Sequence, residues 1–498
     1  MKLTFKGGIH PYEGKELTMD KDVIEYVPKG DMVYPLSQHI GAPAKAVVKK
    51  GDRVLVGQLI AEAGGFVSAN IHSSVSGTVK AVEPRLTASG SKVNSIVIEN
   101  DNQFEEIEYV KNDKPLAELN REEILEAIKN AGVVGMGGAG FPTNVKLSPK
   151  NADEIDYIIV NASECEPYLT SDYRRLLDET DKVIEGLRLA LAIFPKAKGI
   201  IAVEDNKPKA IQKLKEVLGN DPDIKVNSMK TKYPEGAERQ LIYANTGRYI
   251  NSKMLPADAG CIVHNVDTVY SICEAVRQGK PLIQRLVTVT GDAITEPGNY
   301  LVRIGTSFAE LIEAAGGFLQ DPEKIIAGGP MMGKAIYDLN IPVTKSSSAT
   351  GDAITEPCNY LVQIGTSFAE LIEAAGGFLQ DPEKIIAGGP MMGKAIYDLN
   401  IPVTKSSSAI LCMTKDEVSE YEPSNCIRCG RCVEVCPGRV MPNKLATLAE
   451  QGDLEEFQKL NGMECCECGC CSYVCPAKRH LTQTIAGTRK AILANRKK

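Results

Sequence analysis

Between about Pro35 and Asn100 apolar and polar positions alternate in short runs. Val47, Val54 and Val56 stand among charged residues in AKAVVKKGDRVLVGQLIAEA, and SSVSGTVKAVE and SIVIEN continue the pattern. A period of two predicts half-buried strands, because successive side chains point to opposite faces. Gly51-Asp52 and Gly64-Gly65 mark turns. Residues 1 to about 34 are polar and turn-rich and predict an arm or first strand. Residues 101–120 are acidic and predict a linker. The period then changes. In REEILEAIKNAG, Ile124, Leu125 and Ile128 share one helical face and Gly132 supplies a stop. The strand DYIIVNASE, the helix TSDYRRLLDETDKVIEGLRLALAIF, the strand GIIAVED and the helix KPKAIQKLKEVLG follow. Buried strands alternating with amphipathic helices predict an α/β domain with a mostly parallel sheet.

Residues 290–349 recur as residues 350–409, differing only at Gly298 versus Cys358 and Arg303 versus Gln363. Each copy reads as strand, helix (SFAELIEAAGG) and strand (KIIAGG), a small β-grasp-like module. Solenoid repeats diverge far more than this. The near identity is that of a recent tandem duplication or of a sequence-assembly error, and sequencing the gene across the junction separates the two. Beyond Met413, NKLATLAEQGDLEEFQKLNGM is helical in composition, and AILANRKK reads as a solvated basic helix end.

At 498 residues the chain is too long for one core. Its 43% hydrophobic and 24% charged content is that of a globular protein, and a net charge of −7 argues against general nucleic-acid binding. The opening MKLTFKGGIHPYEG has no apolar signal core, and no run approaches 18 apolar residues, so no membrane span is expected.

Ten of the 15 cysteines lie between Cys426 and Cys475. That concentration fits metal ligation in a reducing compartment better than a disulfide framework. Cys426, Cys429, Cys432 and Cys436 have the spacing C-x2-C-x2-C-x3-C followed by Pro437. Cys465, Cys468, Cys471 and Cys475 repeat it before Pro476. Zinc sites usually show two C-x2-C pairs instead. The doubled run is the two-cluster ferredoxin pattern, in which the fourth cysteine of each run serves the other [4Fe–4S] cluster. Cys426, Cys429, Cys432 and Cys475 are therefore expected on one cluster, and Cys465, Cys468, Cys471 and Cys436 on the other. Cys466 and Cys470 are out of register and read as non-ligands, and Cys358 belongs to neither set.

The loop GVVGMGGAGFPTNVK is the second constellation. Gly135, Gly137, Gly138 and Gly140 let backbone N–H groups approach a phosphate or an isoalloxazine edge, and Lys146 adds a positive charge. A plain turn is the bland alternative. NASECEPY then places Glu164 and Glu166 after a strand, YPEGAERQLI adds Gly236 and Glu238, and CIVHNVDT adds Asn265 and Thr268.

These four segments, in this order, resemble the 51-kDa flavoprotein family of respiratory complex I. The resemblance implies FMN contacts at Gly135, Gly137, Lys146, Asn161, Glu164, Gly236 and Asn265, and NADH contacts at Phe141, Glu166 and Glu238. The chain departs from that family at Ala237 (a second Glu there), His264 (often Asn) and Tyr168 (a small residue). His264 has a second reading, as a structural histidine. The stretch GDRVLVGQLIAEA…SSVSGTV resembles the biotinyl/lipoyl barrel-sandwich domain, but its hairpin GGFVSANIH carries no lysine, so no swinging arm is expected. From about Lys6 to His480 the chain is similar to the C subunit of the Rnf electron-transport complex, in GGIHPYEGKELT, YPLSQHIGAPAKAVVKKGD, VTVTGDAITEP, AGGPMMG and CIRCGRCVEVCP.

The expected fold is a multidomain α+β chain. Residues 1–110 form a barrel-sandwich domain and 111–285 an FMN/NADH-binding α/β domain. Residues 286–349 form a β-grasp (SLBB) module, 350–412 its copy, and 413–498 a helix-rich two-[4Fe–4S] domain. One-electron clusters cannot accept a hydride in one step, so a flavin between NADH and the clusters is needed. The resemblance implies a peripheral NADH-oxidising subunit on the cytoplasmic face of the membrane. Its partners are the membrane and iron–sulfur subunits of an ion-translocating complex and, indirectly, ferredoxin. Two alternatives are a cobalamin reductase of a diol-utilisation compartment and a non-enzymatic electron-wire subunit.

Overall fold

The computed structural model describes residues 3–87, 92–137, 140–291, 294–319, 323–327, 334–336, 349–353, 384–387, 394–396, 410–413 and 423–495. It divides into two compact units. One comprises Glu13–Ser228 and Pro256–Asn359. The other comprises Met1–Tyr12, Met229–Leu255 and Tyr360–Lys498.

In the first unit the run YIIVNA forms the inner strand Tyr157–Ala162, paired in parallel with Lys198–Glu204 on one side and Cys261–Asn265 on the other. Ile158, Ile159 and Val160 are all buried, as befits a parallel strand covered on both faces. Leu187, Ile201, Leu214 and Val269 belong to the same core. The helix Arg121–Asn130 starts with a capping box between Asn120 and Glu123. The expected single helix after the central strand is two, Ser171–Asp178 and Thr180–Ala192. The break is at Glu179, which leaves helical geometry (φ −129°, ψ 36°) where the Thr180 hydroxyl donates to the Leu176 carbonyl. Such side-chain bonding competes with the helical ladder. Gly186 allows Thr180–Ala192 to lie against helix Val266–Gln278, since a Cβ there would stand 2.0 Å from the Val269 carbonyl oxygen.

The alternating stretch forms two small sheets. Met32–Pro35, Lys92–Asn100, Gly77–Leu86 and Arg53–Val54 make one, and Lys45–Ala46, Leu59–Glu62 and Ile71–His72 the other. Met32, Tyr34, Val54, Ile60, Ile71, Val79, Ile96 and Ile98 fill the space between them. The lysine-free hairpin is tied by Ala63 N–H to Asn70 Oδ1 and Gly64 N–H to Ser68 Oγ. The acidic stretch expected as a linker begins as part of this barrel, with Val56 N–H bonded to the Glu105 carbonyl and Ile107 N–H to that of Val56.

The expected arm contributes the strand Val23–Tyr26, parallel to Gly298–Arg303. This strand edges a six-stranded sheet that continues through Gln284–Thr290, Ala349–Ala353, Glu323–Ala327 and Lys334–Ile336. Ala349–Ala353 straddles the junction of the two copies, so the second copy's first residues complete the first copy's sheet. Helix Phe308–Ala314, capped by Ser307, buries Phe308 and Leu311. The corresponding helix of the second copy and Cys358 lie outside the described residues.

In the other unit Lys384–Ala387 pairs with Lys394–Ile396 and Ile410–Met413. The cysteine-bearing part is helix-rich, as expected. Helices Pro442–Gln451, Leu454–Lys459 and Leu481–Asn495 surround Leu445, Phe457, Ile485 and Ile492. Among the described residues no helix is long and apolar enough to cross a membrane.

Candidate functional site

Asn161 and Asn265 are register partners at the carboxyl ends of neighbouring parallel strands, the end of an open α/β sheet where ligands bind. The glycine loop closes beside them. Gly135 N–H bonds the Phe141 carbonyl, Met136 N–H bonds Thr268 Oγ1, and a Cβ on Gly137 would stand 3.0 Å from Asn265 Cβ. Gly140 (φ +66°) packs on Gln38 and His39 of the barrel, and Gly138 lies outside the described residues. Asn265 caps helix Val266–Gln278 through Asp267 N–H and donates to Asp172 Oδ2 at 2.6 Å.

Beneath the loop lies a buried charge network. Arg175 Nε donates to Asp267 Oδ1 at 2.7 Å, Arg285 Nη1 to Asp267 Oδ2 at 3.1 Å, and Arg285 Nη2 to the Met136 carbonyl at 2.7 Å. The loop's central carbonyl is thus anchored by a cation whose other bond is to the shared carboxylate.

Glu164 accepts from Asp172 N–H at 2.7 Å and Tyr173 N–H at 3.3 Å, at the start of helix Ser171–Asp178. Glu164 and Asp172 keep a little solvent contact but are ringed by protein. Desolvation raises the Glu164 carboxyl to about 7, opposed by the Lys15 charge and aided by Asp172. Desolvation, then the Asp267 charge, raises Asp172 to about 6. His264 is buried, and its Nε2 has no partner within the protein. Burial, with the Lys146 charge, pushes it down to about 3, so this histidine is neutral and Lys146 lies within electrostatic reach. Ser163 Oγ and Thr143 Oγ1 are likewise buried without protein partners. Orphaned polar atoms beside a loop that packs tightly on Asn265 at Gly137 fit a polar, flat ligand such as a flavin.

Glu166 belongs to the same loop as Glu164, and Phe141 follows Gly140. Gly236 and Glu238 belong to the other unit. Glu238 opens helix Glu238–Thr246, and that segment is tied to the cysteine-bearing part. Arg239 Nη1 meets Glu464 Oε2 at 3.1 Å, Ser252 donates to both Glu464 oxygens, and Gln240 Nε2 donates to the Pro437 carbonyl.

The two cysteine runs have the same backbone. Positive φ falls at Arg428 and Glu467, at Gly430 and Gly469, and at Arg439 and Lys478, which are equivalent positions of the two runs. Short helices Arg431–Glu434 and Cys470–Tyr473 follow at equivalent places. Cys475 packs with Cys432 and Cys471 around Ala446 and Leu481. Cys432 lies within electrostatic reach of Cys475, Cys426 and Cys471, and Cys465 within that of Cys466, Cys471 and Cys436. Cys466 also stands near Cys436 and Cys465, whereas Cys470 Sγ points at the Tyr233 carbonyl, 4.0 Å away. None of the described cysteines is in a disulfide, and no three His, Cys, Asp or Glu side chains among the described residues are close enough to hold one metal ion. A four-iron cube spaces its thiolates wider than a single ion does. The thiol donor set fits [4Fe–4S] ligation.

Residues 3–103 match the RnfC barrel sandwich hybrid domain, and residues 128–274 the Nuo51 FMN-binding domain. Residues 286–335 and 350–395 match the SLBB domain, and residues 420–441 a 4Fe-4S binding domain. The chain is 42% identical to the C subunit of the Na(+)-translocating ferredoxin:NAD(+) oxidoreductase complex of Acetobacterium woodii, over 99% of this chain and 98% of that one. The chain belongs to the Rnf complex C-subunit family. The proton-translocating counterpart from Clostridium ljungdahlii is also 42% identical, over 97% and 93% of the two chains. The C subunit of the Rhodobacter capsulatus ion-translocating oxidoreductase complex is 36% identical, over 92% and 78%.

Sequence reasoning missed Lys15, Asp172, Arg175, Asp267 and Arg285. All read as ordinary charges along the chain, and only long-range folding joins Arg175, Asp267 and Arg285 beneath the glycine loop and brings Lys15 to the loop of residues 164–169. Asp267 alone carried a signal, lying inside the N-V-D-T motif.

Proposed function

We propose that this protein oxidises NADH on the FMN-type domain and passes electrons singly through two [4Fe–4S] clusters toward membrane and iron–sulfur partner subunits. Ferredoxin is the indirect exchange partner, and the site faces the cytoplasm. The matched backbones of the two cysteine runs support this reading, because two such four-thiol runs could serve as two one-electron stations beside the FMN-binding domain. FMN, when bound, takes two electrons together and gives them up one at a time.

The chain's own residues bind and orient. Gly135, Gly137 and Gly140 let the loop backbone approach the ligand closely, with Gly138, Asn161, Gly236 and Asn265 as further cofactor-binding residues. Lys146 supplies positive charge that favours a reduced, anionic flavin, and Glu164 sits with it among the flavin contacts. Phe141, Glu166 and Glu238 hold the dinucleotide. Cys426, Cys429, Cys432 and Cys475 ligate one cluster, and Cys465, Cys468, Cys471 and Cys436 the other. Burial pushes the thiols of Cys436 and Cys465 up to about 11 and about 12, and bound iron would supply the positive charge that holds them as thiolates.

The test is reconstitution of the purified chain with FMN, iron and sulfide, followed by NADH and ferricyanide. NADH-dependent ferricyanide reduction is expected. Its absence with flavin and clusters in place leaves only an electron-wire role.

A further inference from the structure

Lys15 lies far from the glycine loop in sequence, and its side chain is buried, with 6% of its surface exposed. Its Nζ donates to three backbone carbonyls of one loop: Glu164 at 2.9 Å, Glu166 at 3.0 Å and Leu169 at 2.6 Å. An ammonium has three N–H donors, so the set is complete. The loop that wraps it is strained. Glu164 (φ +50°) and Tyr168 (φ +66°) are both non-glycine residues in the left-handed region. Such geometry persists only where the surroundings over-determine it, and it gathers at functional sites.

The strap that carries Lys15 makes the other contacts. Tyr168 N–H donates to the Glu13 carbonyl at 2.7 Å, and Thr18 Oγ1 and Thr170 Oγ1 share a bond of 2.7 Å. Asn299 Nδ2 donates to the Thr18 carbonyl. Gly14 (φ +59°) lies against the Tyr168 ring, where a Cβ would come within 2.5 Å. Gly14 thus admits the large ring that stands where the 51-kDa flavoproteins have a small residue.

We propose that Lys15 is a positioning residue of the nucleotide site, whose buried ammonium gathers these three carbonyls and so fixes the backbone that presents Glu164 and Glu166. This rests on the reading of those glutamates as flavin and dinucleotide contacts. The charges facing Lys15 are Glu164, Lys207, Glu204 and Cys165, and Asp172 faces Glu164. Glu164 is the largest attractive partner, so loss of the ammonium raises the Glu164 carboxyl further.

The experiment compares K15M and K15Q with the wild-type full chain, each reconstituted with FMN, iron and sulfide. A displacement of about 1 Å in a positioned group costs up to ~10²-fold. K15M is expected to raise the KM for NADH or the FMN Kd at least ~10-fold and to move the acid limb of kcat/KM to higher pH, with iron content unchanged. K15Q, which keeps two donors, falls between. In hydrogen–deuterium exchange the amides of residues 164–169 lose protection in both variants. KM, Kd, pH profile and exchange within twofold of wild type overturn the proposal. So does failure of both variants to fold, which makes Lys15 a structural residue only. If the wild-type chain binds no flavin and oxidises no NADH, the reading of Glu164 and Glu166 fails instead, while exchange at 164–169 still reads the Lys15 contact.

Discussion

Asp267→Ala removes the carboxylate shared by Arg175 and Arg285. All three side chains are nearly inaccessible, at 8%, 9% and 6% exposure for Arg175, Arg285 and Asp267. Removing one partner of a buried pair costs about 3–5 kcal/mol, because an uncompensated charge is left behind. Here two guanidinium groups are stranded, which pushes toward the upper end. Arg175 keeps the Tyr270 ring 3.9 Å below it, and Arg285 keeps the Met136 carbonyl, which pull the other way. About 4 kcal/mol is the resulting expectation. At about 2–4 °C per kcal/mol for a large domain, melting falls by roughly 10 °C. Circular dichroism of the apoprotein measures it, and Asp267→Asn, which keeps one acceptor oxygen but turns an NH2 group toward the other guanidinium, is also expected to lower the melting point. Because Arg285 also anchors the glycine loop, flavin retention drops in the same variant. A melting point within 2 °C of wild type, or unchanged flavin affinity, refutes the network as the loop's anchor.

The raised carboxyls predict a pH signature. Glu164, near 7 when folded against an ordinary value of 4.5, contributes stability that is full below about pH 4.5 and lost as pH rises through 7. Glu164→Gln is therefore expected to flatten stability across that window and to gain at most about 3 kcal/mol above pH 7, less because the group keeps some solvent contact. A pH-denaturation series checks it. Cys432→Ser and Cys471→Ser are each expected to lower iron from roughly eight atoms per chain toward four, while Cys470→Ser leaves it unchanged. Iron assay and electron paramagnetic resonance read this. Deleting residues 350–409 is expected to keep activity, because Ile410–Met413 pairs with Lys384–Ala387 much as Ala349–Ala353 pairs with Glu323–Ala327 and can take its place. Loss of soluble protein contradicts that.

The local patterns were legible in the sequence. The alternation around Val54 and Val79 is a barrel strand pattern, the YIIVNA run is a parallel strand, and the two C-x2-C-x2-C-x3-C runs fold alike. The break at Glu179 was not legible, because the apolar period runs through it and only the Thr180 hydroxyl interrupts it. Nor was the membership of Gly236 and Glu238 in the cysteine-bearing unit, which depends on Glu464 meeting Arg239 and Ser252 across a long sequence gap. The Lys15 cradle escaped for the same reason: a lone lysine in EGKEL looks like a solvated charge. Its meaning comes from three carbonyls that only the folded loop brings together.

The central claim is that electrons from NADH reach both clusters through this one chain. Rapid mixing of the reconstituted protein with NADH, freeze-quenched for electron paramagnetic resonance, tests it most directly. The account predicts reduced-cluster signals that appear with NADH and vanish when FMN is left out of the reconstitution. Clusters that stay oxidised under NADH but reduce with dithionite contradict it.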